Sequence, residues 1–298
     1  MDTLASNLDS VFTGYKIWLD KQPLSLSTRR TYLTQVRQFC FYLQSFLAGY
    51  GDPLTDFHAR DYAVRDYKTY LKTVRKRKPN TINIALAAID HFYRFLKMEV
   101  AQVKREDLPT LAPKALEPED QKRLLRAIER CASVRDKAVA RLLFYTGLRV
   151  GECSALNLDD VLMSARKGMV IIRSGKGDVY REVPLNGEVQ DALKTWLKDR
   201  HERFVNNENP AFFLNRQGIR LSTRAIDLII RKFGEDTGLA LSAHILRHTC
   251  LTNLVRKGHD LVLVAEIAGH RRLETTRRYS LPTEADRAAA MESLSIEY

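Results

Sequence analysis

The sequence predicts a mainly α-helical protein of two domains, the second of which contains a small antiparallel sheet. Three observations favour this fold. Long stretches with apolar residues three and four positions apart indicate helices, and one pair of short strand-like segments around a glycine-containing turn indicates the sheet. A proline-containing stretch of weak periodicity separates the two domains. A chain of 298 residues is long enough for two ordinary domains. We expect an N-terminal helical domain at residues 1–100, a linker at 101–115, and a mostly helical second domain at 116–298.

The first domain is expected to contain four helices. One is capped at residues 27–28 and places apolar residues at positions 32, 36, 39, 43 and 46 on one face. Another is expected at about residues 58–74, and a further one has an apolar stripe from residue 82 to residue 96.

In the second domain, a helix is expected to begin at Leu116-Glu117-Pro118, where proline and acidic residues favour a first turn. Segments 169–173 and 180–185 are predicted strands, joined by a turn at 174–178. Further helices are expected at residues 187–204, 222–236, 243–257 and 260–268.

The net charge of +12 at pH 7 favours a polyanionic partner. Residues 1–100 contain 15 Lys and Arg against 9 Asp and Glu, and the remainder contains 33 against 27, so both parts are basic. Four consecutive cations stand beside a helix start in the first domain and suit contacts with phosphate, although a solvated loop explains them equally well: Arg75, Lys76, Arg77 and Lys78.

Cysteine spacing and hydropathy predict a cytoplasmic protein. The four cysteines form no CxxC pair, which is typical of buried thiols in a reducing compartment. The N-terminus lacks the features of a signal peptide, and no apolar run approaches the ~18 residues of a membrane span, so no membrane partner is expected.

A polar constellation ends in one tyrosine near the C-terminus. Arg149 stands in Thr-Gly-Leu-Arg-Val-Gly-Glu, His244 and Arg247 stand in His-Ile-Leu-Arg-His-Thr, His270 follows a glycine, and Tyr279 ends Thr-Thr-Arg-Arg-Tyr. An arginine guanidinium matches phosphate oxygens and keeps its charge, while a tyrosine can act as a covalent nucleophile. These residue types suit a site that holds a phosphodiester while a phenol oxygen attacks it.

These pieces, in this order, resemble the tyrosine recombinases, also called the phage integrase family. The resemblance is strong from Arg149 to Tyr279 and only architectural in the N-terminal third. It implies that Arg149, Arg247 and His270 bind the scissile phosphate and that Tyr279 is the nucleophile. His244, with a pKa near the working pH, is the expected carrier of the nucleophile's proton.

The resemblance also assigns supporting residues. Glu152 matches an acidic position that supports the arginine, and Lys176 matches the lysine that protonates the departing 5′ oxygen. Lys167 is the competing candidate, but it is expected to precede the strand instead of lying in the turn. The nearby arginines are expected to favour the phenolate of Tyr279.

His248 follows Arg247 directly and is expected to point elsewhere, packing or capping its helix. A zinc site of His244, His248 and His270 is the alternative, because histidines four apart can bind zinc. The neighbouring arginines and the absence of an HExxH motif argue against it. No metal and no cofactor are expected.

The resemblance implies a site-specific DNA recombinase acting through a 3′-phosphotyrosyl intermediate on a double-stranded recombination site. The resemblance assigns DNA binding to the N-terminal helical domain at 1–100 and catalysis to the domain at 116–298. It also implies that the two domains close around the duplex and that a tetramer forms in the synaptic complex. Transposon or plasmid resolution, integration and excision, and chromosome dimer resolution stay open as roles. A catalytically silent DNA-binding regulator and a type IB topoisomerase are the alternative functions, the latter disfavoured by the N-terminal helical domain.

Residues 283–298 carry a short helical pattern expected to dock on a neighbouring subunit, or else on its own domain.

Overall fold

The computed structural model describes residues 2–46, 51–108, 113–164, 167–173, 180–281, 287–288 and 291–293. The chain divides into two compact units, residues 1–109 and 110–298, each with its own apolar core. The prediction of a mainly helical chain with a small antiparallel sheet is confirmed.

Four long helices build the first unit: α1 (Asp2–Asp20), α2 (Leu26–Phe46), α3 (Phe57–Thr73) and α4 (Pro79–Phe95). Fully buried aromatic side chains from all four helices dominate its core: Tyr15, Phe39, Tyr67, Phe92 and Tyr93. Helix α2 begins slightly earlier than predicted, because the Ser25 hydroxyl accepts a hydrogen bond from the Thr28 backbone N–H at 3.1 Å.

The segment 101–108, expected as linker, packs on the first unit. Ala101 is buried in that core. Arg105 donates to Asp90 of α4 at 2.5 Å, and Lys68 of α3 pairs with Glu106 at 2.9 Å. These contacts tie the segment to two helices, which its weak periodicity does not reveal.

Helices of the second unit surround a large core and a small sheet. The helices are α5 (Pro118–Arg130), α6 (Val134–Thr146), α7 (Val150–Ala155), α8 (Gly187–Arg203), α9 (Thr223–Thr237), α10 (Ala243–Arg256), α11 (Leu261–Ala268) and α12 (Leu273–Arg277). Single 3₁₀ turns occupy Leu158–Asp160 and Arg278–Ser280. Helix α6 contributes Leu142 and Leu143 to the core, which also holds Trp196, Phe212 and Leu246.

The sheet has the order β1 (Val161–Met163), β2 (Gly168–Ile172) and β3 (Arg181–Leu185), with both pairings antiparallel. Gly168 pairs with Leu185 and Ile172 pairs with Arg181, so β2 and β3 are the two predicted strands. Strand β1 was not predicted, because a three-residue strand is too short to display alternation.

None of the helices in the described part of the chain is long and apolar enough to cross a membrane.

Candidate active site

Arg149 and Glu152 form the first part of the site at the start of α7. Gly147 ends α6 in the left-handed conformation, with φ of 62°, and turns the chain toward Arg149, the N-cap residue of α7. Glu152 accepts hydrogen bonds from the Arg149 backbone N–H and from Arg149 Nη1, both at 2.8 Å. The carboxylate is buried, so it fixes the guanidinium relative to its own helix.

Arg181 is a buried partner of Glu152 that sequence reasoning missed. Its Nη1 and Nη2 donate to the two carboxylate oxygens at 3.0 and 2.7 Å. The side chain is only 7% exposed. Arg181 lies on the buried face of β3 together with Val183 and Leu185. The signal in the sequence was an arginine at a strand position where the alternation places apolar residues.

Three arginines bind three successive carbonyl oxygens at the C-terminus of α11. Arg181 Nε donates to Ile267 O at 2.9 Å, Arg247 Nη2 donates to Ala268 O at 2.7 Å, and Arg149 Nη2 donates to Gly269 O at 3.0 Å. The last carbonyls of a helix lack partners within it and carry partial negative charge. The helix end therefore gathers guanidinium groups from β3, from α10 and from the start of α7.

Gly269 is required at this helix end. Its φ is +63°, and a Cβ at this position would lie 2.8 Å from Arg181 Nη1. Glycine therefore lets Arg181 approach and also turns the chain toward His270.

His270 is fixed on both ring nitrogens. Arg247 Nη2 lies 2.9 Å from His270 Nε2, and Thr276 Oγ1 lies 2.8 Å from Nδ1. A guanidinium can only donate, so Nε2 accepts and Nδ1 donates to the threonine. Thr276 is fully buried, and it is the second threonine of the Thr-Thr pair that precedes the tyrosine. Its role as a partner of His270 was not predicted.

Tyr279 lies in the same site as the arginines of its own chain. Its side chain packs with Leu251, Val264 and Ala268 in a small apolar cluster and is buried. Its ring lies parallel to that of His270, with centroids 6.1 Å apart and an interplanar angle of 10°.

The expectation that His248 points elsewhere is wrong. His248 Nδ1 lies 2.9 Å from the Tyr279 hydroxyl oxygen. His244, one turn earlier on α10, is exposed, and its ring contacts that of His248 at 4.1 Å between centroids. Within the described chain, no hydrogen bond joins His244 to Tyr279.

Burial and positive charge shift the pKa values of the site. The pKa of Arg247 is lowered to about 10, first by burial and then by Arg149. The pKa values of His248 and His270 are lowered to about 4, mainly by burial and then by neighbouring charged groups. Arg247 remains charged and both histidines are neutral at pH 7.

The arginines were expected to favour the phenolate of Tyr279, but burial has the larger effect on its pKa. Burial raises the pKa of the phenol above its usual value, and the opposing effects of Arg247, Arg278 and Arg149 are weaker. The phenol is therefore protonated at neutral pH and can donate to His248.

The remaining predicted residues are Lys176, Lys167 and the four cations at 75–78. Lys176 falls in the segment 174–179, which is outside the described residues. Lys167 is exposed and lies between β1 and β2, where its backbone N–H donates to Ser164 Oγ at 3.0 Å, so it precedes β2 as expected. Residues 75–78 are exposed in the first unit immediately before α4.

No group of three or more His, Cys, Asp or Glu side chains in the described ranges is arranged to hold a metal ion. The site instead concentrates cations. Arg149 and Arg181 share a single carboxylate, that of Glu152, while Arg247 donates to the carbonyl oxygens of Gly147 and Ala268 and has no ion pair among the described residues. Incompletely compensated buried positive charge is suited to an anionic ligand.

Comparisons with known proteins match most of the chain. The sequence model of the phage integrase family matches residues 114–285. A tyrosine recombinase XerC of Roseiflexus castenholzii is 31% identical over 277 residues, which cover 88% of this chain and 85% of the relative. A TnP I resolvase of Bacillus thuringiensis is 28% identical over 289 residues, covering 94% and 98%.

The fold is also similar to that of solved recombinases. The crystal structure of XerH site-specific recombinase bound to palindromic difH substrate, a post-cleavage complex, aligns with a TM-score of 0.75 and 22% identity. The alignment covers 91% of this chain and 80% of that one. Because the family model matches more than half of the chain and the XerC relative is 31% identical over 88% of it, this chain belongs to the phage integrase family of tyrosine recombinases.

Proposed function

We propose that the chain is a site-specific DNA recombinase that cuts and rejoins DNA strands through a 3′-phosphotyrosyl intermediate. The observation that carries this proposal is the position of Tyr279 beside Arg247 and Arg149, whose positive charge is only partly balanced by Glu152. A phosphodiester supplies the missing negative charge and the electrophile.

The two arginines act as a clamp on the scissile phosphate. Arg247 is buried and fixed to Gly147 O at 2.6 Å and to Ala268 O, while Arg149 is fixed by Glu152. Groups held in this way need little reorganisation when charge develops on the phosphorus oxygens. His270 contributes an N–H to a phosphate oxygen once Arg247 has released Nε2 and the ring proton has moved from Nδ1 to Nε2, with the Thr276 hydroxyl then donating to Nδ1.

The reaction needs no external energy source. The Tyr279 oxygen attacks phosphorus and the 5′ oxygen leaves, so the phosphotyrosyl bond conserves the energy of the phosphodiester. Lys176 donates a proton to the departing oxygen. The 5′-hydroxyl of another strand then attacks the phosphotyrosyl bond and releases the tyrosine.

Double-stranded DNA is the partner of both units in this proposal. Each part of the chain is basic, and residues 75–78 present four exposed cations beside the N-terminus of α4. The relative XerH is described as bound to its difH substrate. A tetramer on two duplexes, linked by the C-terminal residues, completes the proposal, and the free cysteines suit a cytoplasmic location.

Covalent trapping tests the proposed function. The chain is expressed in its native host, protein–DNA adducts are isolated under denaturing conditions, and the attached DNA is sequenced. The recovered site is then placed in a nicked substrate that prevents religation. Wild type should form an adduct, whereas Tyr279→Phe should bind the same DNA without forming one. Adduct formation by the Phe variant, or none by wild type, would reject the proposal.

A further inference from the structure

His248 contacts the nucleophilic oxygen directly and, unlike Arg247, which also hydrogen-bonds the phenol, can accept its proton. Its Nδ1 lies 2.9 Å from the hydroxyl oxygen of Tyr279, although the two residues are 31 positions apart in sequence. The centroids of the two rings are 5.5 Å apart. A proton can therefore pass between these atoms without movement of either side chain.

The protonation states of the two side chains determine which of them donates the hydrogen bond. His248 is neutral at pH 7, because burial, and then the electrostatic effect of protonating it beside His244, Arg278, Arg247 and His270, lower its pKa to about 4. The phenol therefore donates and Nδ1 accepts. Neutral imidazole with Nδ1 free carries its proton on Nε2, so it can take up a second proton.

His244 is less well placed for the same task. It is exposed on α10 and contacts the ring of His248 instead of the phenol. His270 is also excluded, because Arg247 and Thr276 occupy its two ring nitrogens. The geometry thus separates the three histidines, and only His248 faces the hydroxyl.

A bound phosphate would make His248 a stronger base. Arg247 and Arg278 both oppose a charge on His248. A phosphodiester placed between the arginines brings a negative charge that offsets theirs, so protonation of His248 becomes easier when substrate is bound. Proton uptake is then coupled to occupation of the site, which keeps the free enzyme's phenol protonated.

We propose that His248 accepts the phenol proton of Tyr279 during cleavage and returns it during religation. This inference rests on the proposed function. In cleavage, the bond from the Tyr279 oxygen to phosphorus forms, the bond from phosphorus to the 5′ oxygen breaks, and the phenol proton moves to Nδ1. In religation, the 5′-hydroxyl gives its proton back to Lys176 as its oxygen bonds to phosphorus, the bond from phosphorus to the Tyr279 oxygen breaks, and the departing phenolate recovers the proton from His248.

The test uses His248→Asn, with His244→Asn as the matched control on the same helix. An asparagine side-chain oxygen can occupy a place close to that of Nδ1 and accept the phenol hydrogen bond, but it cannot take the proton. Single-turnover adduct formation is measured on a nicked substrate carrying the trapped site. His248→Asn should be slower by about 100-fold or more at pH 7, with half-site binding retained. His244→Asn should be affected less.

Two further measurements separate proton transfer from positioning. The rate of His248→Asn should rise steadily with pH as the phenol ionises, whereas that of wild type should level off once His248 in the DNA complex is neutral. His248→Ala should recover part of its activity in imidazole buffer, because free imidazole can replace the lost base. Wild-type cleavage rates in His248→Asn, or a larger defect in His244→Asn, would overturn the assignment. A wild type that forms no adduct would reject the proposed function itself.

Discussion

Replacing Arg181 by Met should separate the support of the phosphate clamp from simple stability. The substitution removes two hydrogen bonds to Glu152 and one to Ile267 O, while Arg149 remains as a partner of the carboxylate. Hydrogen bonds to charged groups contribute about 1.5–3 kcal/mol each, and breaking a buried ion pair outright costs about 3–5 kcal/mol. Because Glu152 keeps one partner, we expect a loss of about 3 kcal/mol.

The thermal midpoint of the second unit should fall by roughly 6–12 °C, since 1 kcal/mol corresponds to about 2–4 °C for a unit of this size. Cleavage should fall by about 100-fold at a temperature where the variant is folded, because Glu152, which orients Arg149, loses its link through Arg181 to the end of α11. The assays are thermal unfolding of the full chain and single-turnover adduct formation. The thermal midpoint and the cleavage rate of Arg181→Lys should lie between those of wild type and Arg181→Met, since lysine keeps the charge without the planar fork of the guanidinium.

Arg200 provides the matched control. It is also buried in the second unit, and its Nη2 donates to Asn209 O at 2.7 Å and to Ala211 O at 3.1 Å, in the loop after α8. Arg200→Met should lose stability but cleave normally while folded. Normal cleavage by Arg181→Met, or an equal loss in Arg200→Met, would refute the reasoning.

Lys176→Ala should slow cleavage by ~10²–10⁴-fold, and a substrate with a bridging 5′ sulfur should restore the rate, because a thiolate leaves without a proton; failure of that rescue would remove Lys176 from the role. Unfolding free energy should fall as pH drops from about 6.5 to 4, because the unfolded chain then binds protons that His248 and His270 reject. The loss of unfolding free energy should be no more than about 2 kcal/mol per partly exposed histidine. In thermal unfolding, the stability of His248→Asn should depend less steeply on pH than that of wild type; an equal pH dependence would contradict the assignment of this loss to His248. Replacing the cations at 75–78 by glutamine should make the log–log salt slope of DNA binding less negative, by about 0.9 for each phosphate that the loop no longer neutralises; an unchanged slope would mark a solvated loop. Deleting residues 284–298 should preserve half-site binding and abolish tetramer assembly in light scattering; intact assembly would oppose docking in trans.

Periodicity recovers the amphipathic helices well and the buried ones poorly. Helix α8 was predicted at 187–204 and spans Gly187–Arg203, because its apolar and polar faces differ and Asn186 caps its start. Helix α6 was not predicted, since residues around much of its circumference are buried and the sequence shows little contrast between faces. The five-residue α12 is too short to show a period.

The site residues named by motif and those found by contact differ in kind. Arg149, Arg247, His270 and Tyr279 stand in recognisable sequence motifs, and the structure brings them together. Arg181 acts through a carbonyl oxygen and a carboxylate that adjoin it only after folding, so no motif reveals its role, and the sequence marks it only as an arginine in the apolar phase of β3.

The central claim is that Tyr279 becomes covalently joined to the 3′ end of a cut DNA strand. The most direct measurement is mass spectrometry of the wild-type adduct formed on a nicked substrate, after digestion with nuclease and protease. The account predicts a nucleotide attached through its 3′ phosphate to the peptide that contains Tyr279, with fragmentation placing the added mass on that residue. Attachment through a 5′ phosphate, or to any other side chain, would contradict it.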